Sequence, residues 1–512
     1  MKSKIQLPLQ TSNLVVGFMV WVMISALIPF ITEDIRVPQE GLALVTALPV
    51  ILGSILRIPF GYYANVLGAR TVFLSSFILL LFPVFYLSEA TSFTDLLIAG
   101  VFLGIGGAVF SVGVTSLPKY YPKEKHGLVN GIYGAGNIGT AVTTFAAPMI
   151  AVHIGWSQTV KIYIGILLLF ILMNVFLGDR SETKVQSSIL DQIKEVYKNE
   201  KLWFFSLFYF ITFGSFVAFT IYLPNFLVDH FGIDKVDAGI RTAGFITLAT
   251  FMRPIGGWLG DKLQPFLLLM GTFLIYTISA IVLAFSPSIG LYTVGTLAIA
   301  VCAGIGNGII FKLVPLYFSK QSGIVNGIVS MMGGLGGFFP PILLSFIFSM
   351  TGHYSIGFML LSQLSLASLV IVVWMYYQGR LHLAGEVFDS TGQGILVTDV
   401  SGTIKSVNPA FQQLTGFDQS EVIGQKPSIL KSGKHSKSFY DLMWSEISKN
   451  GMWQGEIWNK RKNGEDYLQW LTISEVKDDS GNVIRYVGAF SDLTHYEQSV
   501  EVASSELGVK GD

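Results

Sequence analysis

Two arginines stand where an arginine is costly. Arg57 lies inside L-G-S-I-L-R-I-P-F-G at 52–61, and Arg253 inside A-T-F-M-R-P-I-G-G-W-L-G-D at 249–261, both in long apolar segments. A guanidinium keeps its charge at any reachable pH, and placing one in mid-membrane costs about 2.5–3.5 kcal/mol on insertion scales. The pairs Arg57/Arg253, Gly61/Gly257 and Asn65/Asp261 share one separation, 196 positions. A cation repeated at equivalent depths of two duplicated units, with no acid to neutralise it, predicts a buried anion site. A planar guanidinium can donate two parallel hydrogen bonds to a small, flat or bent oxyanion, which a lysine ammonium cannot copy. Two like charges facing one chamber repel, and a bound anion relieves that repulsion. An empty chamber should therefore resist closing, while a loaded one can reorient.

Glycine marks two further stretches. G-L-V-N-G-I-Y-G-A-G-N-I-G-T-A-V at 127–142 and G-I-V-N-G-I-V-S-M-M-G-G-L-G-G-F-F-P-P at 323–341 pair at the same 196 positions through Asn130/Asn326 and Gly131/Gly327. Small residues every three or four positions let helix backbones approach closely and keep any cavity between them small.

The elements that must carry these residues are membrane helices. The 512-residue chain is 51% hydrophobic and 13% charged, with mean hydropathy +0.58 and 54 glycines, a membrane composition. Zero formal net charge points to no nucleic-acid partner, and the single cysteine, Cys302, excludes a disulfide framework or a cysteine-based metal site. No nucleophile–base pair, phosphate loop or metal cluster is recognisable, so an enzyme is not expected. Runs long enough to cross about 30 Å of hydrocarbon are predicted near 12–32, 41–63, 71–90, 94–117, 128–152 and 160–178, then near 203–226, 238–259, 265–285, 290–312, 324–348 and 355–378. The expected architecture is an all-α membrane protein of 12 transmembrane helices in two pseudo-symmetric six-helix halves, plus a small cytoplasmic α+β domain. The expected units are an N-terminal bundle 1–180, a cytoplasmic inter-half loop 181–202, a C-terminal bundle 203–380, a polar α+β domain 385–496 and a tail 497–512. Lys2, Lys4, Arg70, Lys119, Lys123, Lys125, Lys262, Lys320 and Arg380 sort to one side, placing both termini in the cytoplasm of a cell whose inner membrane holds the helices. No Asp or Glu is placed inside a predicted span, the nearest being Glu33 and Asp34. Lys161 and Lys312 are expected to snorkel to the headgroups, and His153 to lie at the interface.

The loop G-Y-Y-A-N-V-L-G-A-R at 61–70 resembles the G-x-x-x-D-R-x-G-x-R signature of the major facilitator superfamily, with Asn65 in place of the acid and Val66 in place of the first basic residue. The paired glycine-rich helices, one arginine in each half and Asn137 inside G-A-G-N-I-G resemble the nitrate/nitrite porter family of that superfamily. The resemblance implies that Arg57, Arg253, Asn137, Phe110, Tyr209 and Phe213 bind substrate. It makes Gly134, Gly136, Gly139, Gly333, Gly334 and Gly336 the signature-helix glycines. Rings above and below the anion would select flatness and reject tetrahedral phosphate or sulfate. With no titratable acid in the spans, the expected reaction is nitrate/nitrite exchange by alternating access. The alternatives are proton-coupled nitrate symport, exchange of another small anion such as a short carboxylate, and an anion-sensing membrane receptor. Nitrate, nitrite and the lipid bilayer are the expected partners.

After Arg380 the composition turns polar, with short alternating runs around Ser-Gly, Asn-Gly and Ser-Gly-Asn turns. G-Q-G-I-L-V-T-D at 392–399, S-V-N-P-A-F at 406–411, W-Q-G-E-I-W-N-K-R-K-N-G at 453–464 and Y-V-G-A-F-S-D-L-T at 486–494 resemble a PAS sensor domain of the flavin-binding and redox-sensing kind. That resemblance makes Trp453 and Asn459 the candidate ligand-pocket residues and FAD the candidate cofactor. With no cysteine in the domain, blue-light adduct chemistry is excluded. The domain is expected to tune transport, through a PAS-mediated dimer or a PAS contact with the transporter's cytoplasmic face.

Overall fold

The computed structural model describes residues 2–185, 188–285 and 288–494; the 497–512 tail lies outside them. Two units separate, Met1–Tyr376 and Tyr377–Asp512.

Twelve long helices follow in order: α1 (Ile5–Asp34), α2 (Leu44–Leu67), α3 (Ala69–Ser88), α4 (Phe93–Tyr120), α5 (Lys123–Ile154), α6 (Trp156–Leu177), α7 (Glu200–Ile221), α8 (Lys235–Lys262), α9 (Pro265–Ala284), α10 (Ile289–Tyr317), α11 (Ser322–Phe339) and α12 (Ser355–Ser390). Among the described residues eleven are apolar and long enough to cross a membrane. The remaining one, α8, spans 28 residues but carries Asp237, Arg241, Arg253 and Asp261. Large apolar side chains such as Phe145, Phe176 and Phe285 point outward, as expected where the surrounding solvent is hydrocarbon.

α1 begins about eight residues before its apolar run because its polar residues face inward. Gln6, Gln10 and Asn13 share one helix face and are buried. Gln10 donates to Ser116 Oγ at 3.1 Å, and Asn13 exchanges two 2.8 Å amide bonds with Asn174 of α6. Buried amides paired with one another satisfy a membrane interior as well as apolar groups do, so hydropathy alone misplaces this boundary.

The sequence reading that no acid lies inside a predicted span fails twice, at Glu89 within 71–90 and Asp95 within 94–117. Asp95 occupies the first turn of α4 in a capping box with Ser92 and accepts Tyr86 Oη at 2.6 Å; Glu89 closes α3 and pairs with Lys161 at 2.7 Å. Asp95 complements the free N–H groups of a helix N-terminus, whereas Glu89, at a C-terminus, is held by the Lys161 ammonium. Lys161 is thus an ion-pair partner, and so is Lys312, whose ammonium lies 2.7 Å from Asp261 with little exposure. Neither merely snorkels. His153 does lie exposed in the last turn of α5.

In the second unit five antiparallel strands form one sheet in the order β2-β1-β5-β4-β3: β1 (Gly394–Asp399), β2 (Ile404–Val407), β3 (Met452–Lys460), β4 (Asp466–Lys477) and β5 (Val483–Asp492). The predicted turns hold, with Gly402, Gly464 and Gly481 at positive φ, where glycine avoids strain. Asp399 accepts Ser401 Oγ at 2.6 Å and the Thr403 amide at 2.9 Å, bonds that hold its carboxyl well below the usual range. Helices Pro409–Thr415 and Lys437–Asn450 cover a core of Leu396, Phe411, Ile447, Ile457, Leu471 and Phe490.

Candidate functional site

Three helices of the N-terminal half break beside the residues singled out above. α2 breaks at Leu56, one position before Arg57. α4 breaks at Val109, one position before Phe110, and α5 tightens into a 3₁₀ turn over Ala135–Asn137. A broken turn frees backbone carbonyls inside the membrane, and each needs a donor. Arg57 supplies one: its Nε donates to the Gly107 carbonyl of α4 at 3.2 Å. Its Nη1 donates at 2.6 Å to the Ser330 carbonyl of α11, across the interface between halves.

Both guanidinium groups are buried and flank the same rings. The Arg57 carbon lies 5.4 Å from the Phe110 ring, 5.6 Å from Phe213 and 6.0 Å from Trp21. The Arg253 carbon lies 5.0 Å from Phe110, 5.9 Å from Tyr209 and 6.0 Å from Phe213. Tyr209 and Phe213, one turn apart on α7, stack at 5.1 Å and 6°; Phe110 stacks on Tyr209 at 6.3 Å and 16°. Phe311 of α10 meets Phe110 and Tyr209 edge-on at 5.2 and 4.8 Å. Ring faces offer each cation partial compensation, but donors stay free. Arg253 Nη2 donates to Tyr209 Oη at 3.0 Å, whereas Arg253 Nε and Nη1 and Arg57 Nη2 have no partner among the described residues. None of the partners named is a carboxylate. At a separation on the order of 8 Å and an effective dielectric near 20, two such charges repel by about 2 kcal/mol. A small anion would relieve that repulsion and occupy the free donors.

The signature glycines divide into two groups. A methyl at Gly134 would overlap the Arg253 guanidinium, one at Gly333 the Tyr209 ring, and one at Gly334 the Ser54 hydroxyl beside Arg57. These three clear room for the site. Gly136 and Gly139 pack on Leu14 and the Val15 carbonyl of α1, and Gly336 on the Phe210 carbonyl, so these bring helices together. Asn137 is buried beside this packing with its Oδ1 unpartnered; its carbonyl accepts Thr140 Oγ1. The structure thus gathers Arg57, Arg253, Phe110, Tyr209 and Phe213 around one centre, and joins Asn137 to it only through the neighbouring Gly134. Trp21, Tyr133 and Phe311 also belong there. Phe311 had no legible signal, since its counterpart 196 positions earlier is Thr115, a residue of a different kind. Trp21 had none either.

The repeat is realised as swapped contacts at the end bearing the basic loops. Gly61 abuts the Gly323 carbonyl and Gly257 the Gly127 carbonyl, two contacts exchanged by the 196-position repeat that pairs Gly61 with Gly257 and Gly127 with Gly323. Asn130 reaches the Phe311 carbonyl at 2.8 Å, and Asn326 the Val114 carbonyl at 3.2 Å. The charged positions differ. Asp261 accepts the Gly127 and Leu128 amides at 2.9 and 2.7 Å and pairs with Lys312. Its counterpart Asn65 makes one 3.3 Å bond to the Lys320 carbonyl. The latch between halves is therefore charged on one side only.

In the second unit a cavity of about 340 Å³ is lined by apolar residues including Leu396, Met443, Ile457 and Leu471, together with Asn459, Gln469, Lys426 and Lys431. Asn459 lines this cavity. Trp453 does not: it is a core residue, 9% exposed, set edge-on to Phe439 at 6.0 Å. Alternation along β3 puts Trp453 and Asn459 on one sheet face, but six residues apart, and the Lys437–Asn450 helix covers the Trp453 end. Gln469, buried with Oε1 unpartnered, takes the polar place instead. The amides of Asn459 and Gln469 amid apolar walls fit the polar edge of a flavin-like heterocycle. His435 is no free ligand, for its Nε2 accepts the Trp458 amide at 2.9 Å.

Comparison with known proteins agrees with this architecture. Residues 11–341 match the family model described as Major Facilitator Superfamily, and residues 392–495 match that of the PAS domain. The "Nitrite extrusion protein" of Bacillus subtilis is 65% identical over 380 residues, 74% of this chain and 96% of that one. A "Probable nitrate transporter NarT" of Staphylococcus epidermidis is 56% identical over 368 residues, 72% of this chain and 95% of that one. The crystal structure of the Escherichia coli fucose:proton symporter shares the fold at a TM-score of 0.60 and 14% identity, over 73% of this chain and 99% of that one. The chain belongs to the Major Facilitator Superfamily, within its nitrate/nitrite porter family, and carries a PAS domain over residues 392–495.

Proposed function

We propose that the chain carries nitrate and nitrite across the membrane by alternating access, exchanging one for the other. It is a membrane transporter and not an enzyme. The observation that carries the substrate reading is the pair of buried guanidiniums with free donors on two sides of the Phe110 and Phe213 rings. Delocalised, weakly hydrated anions lose little on entering such a chamber, and charge-assisted bonds repay that loss. Exchange is favoured over proton symport because the hydrogen-bond partners of the arginines are backbone carbonyls and a tyrosine hydroxyl, with no carboxylate to take a proton. The orientation follows from the basic loops: the end latched by Asp261 faces the cytoplasm, as do both termini and the PAS domain.

The experiment is counterflow of labelled nitrate in proteoliposomes of the full chain. Uptake should require internal nitrate or nitrite and ignore an imposed pH gradient. Acceleration by external acid would favour symport, and failure of nitrate and nitrite to compete while formate or oxalate does would move the substrate to short carboxylates. The PAS domain tunes transport in response to a cytoplasmic redox or metabolite signal, with FAD the candidate ligand, held by Asn459 and Gln469 at its ring edge. Deleting residues 385–512 should leave basal exchange and abolish its response; a truncated chain regulated like the full one would reject this role.

A further inference from the structure

One buried tyrosine near the anion site is neither a ring-stacking wall nor a simple space-filler. Tyr133 of α5 is fully buried, and its hydroxyl sits inside the hydrogen-bond ladder of α4. It accepts the Gly113 amide at 3.3 Å and donates to the Val109 carbonyl at 2.9 Å. Those two backbone groups are four residues apart, so in an uninterrupted helix they would bond to each other. The tyrosine hydroxyl has been inserted between them, and the displaced Val109 carbonyl accepts the Val112 amide at 3.1 Å in a tighter turn. Insertion of a side chain into the ladder is a recognised cause of helix bending. The opened turn, 109–113, is the one that carries Phe110.

We propose that Tyr133 is a positioning residue that holds the α4 turn open and so fixes the Phe110 ring between the two arginines, setting discrimination by anion shape. This rests on the anion site proposed above. A buried phenol needs some partner, but any carbonyl would satisfy it; here it replaces a backbone bond that could form without it. Its ring also touches Phe110, at 5.9 Å between centroids, and lies where a methyl on Gly113 would fall. One residue along from it, Gly134 makes room for Arg253. Tyr133 therefore ties the height of the Phe110 ring to the part of α5 that borders the Arg253 guanidinium. Without the hydroxyl, Val109 and Gly113 can close the ladder, and Phe110 turns with the helix away from its place 5.4 and 5.0 Å from the two cations.

The test uses the full chain in proteoliposomes and reads labelled-nitrate counterflow, with competition by flat nitrate, bent nitrite and tetrahedral perchlorate. Tyr133→Phe keeps the ring and removes only the bridge. The half-saturation concentration for nitrate should rise about threefold to tenfold, the scale of one buried hydrogen bond. The maximal rate should change by less than about twofold, and perchlorate should gain on nitrate as a competitor by about the same factor. Gly113→Ala, which pushes on the Tyr133 ring with the hydroxyl intact, should shift selectivity in the same direction, and it serves if Tyr133→Phe does not fold. Tyr276→Phe, which removes a buried hydroxyl bonded to Ser215, should leave selectivity unchanged. Wild-type nitrate transport with unaltered affinity and selectivity in both Tyr133→Phe and Gly113→Ala overturns the positioning role while the site stands. Equal shifts in Tyr276→Phe and Tyr133→Phe also overturn it. A wild-type chain that carries neither nitrate nor nitrite removes the site reading and this inference together.

Discussion

Replacing each arginine by lysine should damage transport in two different ways. Arg253 gives one donor to Tyr209 and leaves Nε and Nη1 for a ligand. A lysine there keeps the charge, but a single ammonium serving Tyr209 loses at least one bond to the anion. A hydrogen bond to a charged group contributes about 1.5–3 kcal/mol, and each 1.4 kcal/mol is tenfold. The half-saturation concentration for nitrate should therefore rise about 10- to 150-fold in Arg253→Lys, with a smaller effect on maximal rate. Arg57 is committed differently, with Nε on the Gly107 carbonyl and Nη1 on the Ser330 carbonyl of the other half. That second bond bridges two bodies that must part and rejoin in every cycle, so Arg57→Lys should lower the maximal rate as well as the affinity. The assay is the concentration dependence of counterflow in proteoliposomes, with the amount of folded protein fixed by size-exclusion chromatography. Wild-type half-saturation in both variants would refute the two-arginine site. Identical kinetic signatures in the two would refute the division of labour read from their partners.

Three further outcomes follow from single contacts. Gly134→Ala places a methyl on the Arg253 guanidinium and should abolish nitrate uptake in a protein that still inserts and purifies, whereas Gly165→Ala, which meets open space, should transport normally. Asp261→Asn removes the Lys312 ion pair and weakens the bonds to Gly127 and Leu128; losing about 1–3 kcal/mol should raise maleimide labelling of a Val129→Cys reporter, buried next to Leu128, from the basic-loop side by about tenfold or more. Equal labelling rates with and without Asp261 would show that this latch does not hold the closed state. Trp453→Ala should destabilise the PAS domain by about 3–5 kcal/mol, as for other buried large aromatics, seen as faster hydrogen exchange of β3 and β4 amides; Asn459→Ala, at the cavity wall, should leave exchange nearly unchanged.

Much of the transport site was legible because it rests on contradictions of local chemistry. A charge in an apolar run, repeated at a fixed separation, has few explanations, and both arginines are indeed buried against one set of rings. What escaped was anything requiring knowledge of backbone geometry. In L-R-I-P only Pro59, which leaves the Ile55 carbonyl without its helical donor, marks the α2 break, and nothing in A-V-F-S marks that of α4, which is stabilised by partners from other helices, Arg57 on the Gly107 carbonyl and Tyr133 on Val109. The inward-facing amides Gln6 and Gln10 fell outside the predicted 12–32 span because hydropathy cannot see the polar partner, Ser116, that Gln10 meets across the bundle. In the PAS domain the resemblance offered both Trp453 and Asn459 for the pocket, but it does not say where along the β3 face a helix closes over the core.

The repeat is symmetric in sequence and asymmetric in use, and that asymmetry bears on how an empty carrier behaves. α2, α4 and α5 break beside the site, whereas α8, α10 and α11 run continuously past Arg253, Phe311 and Gly333. The broken half gives the Gly107 carbonyl to Arg57, whose Nε and Nη1 are then both bonded while Nη2 has no partner among the described residues. Arg57 also takes a carbonyl of the continuous half, that of Ser330, whereas Arg253 finds the Tyr209 hydroxyl and keeps two buried donors unmet. Unmet buried donors cost more than any single bond gains, so the free energy of an anion-free chamber depends chiefly on Arg253. The same α8 carries Asp261, the charged side of the latch, five helical positions beyond Gly256 and on the far side of the Gly127–Gly257 contact. An anion that satisfies Arg253 therefore stabilises the very helix through which the two halves lock. The state in which the carrier can close without penalty is then the loaded one, which is the condition an exchanger needs and a channel does not.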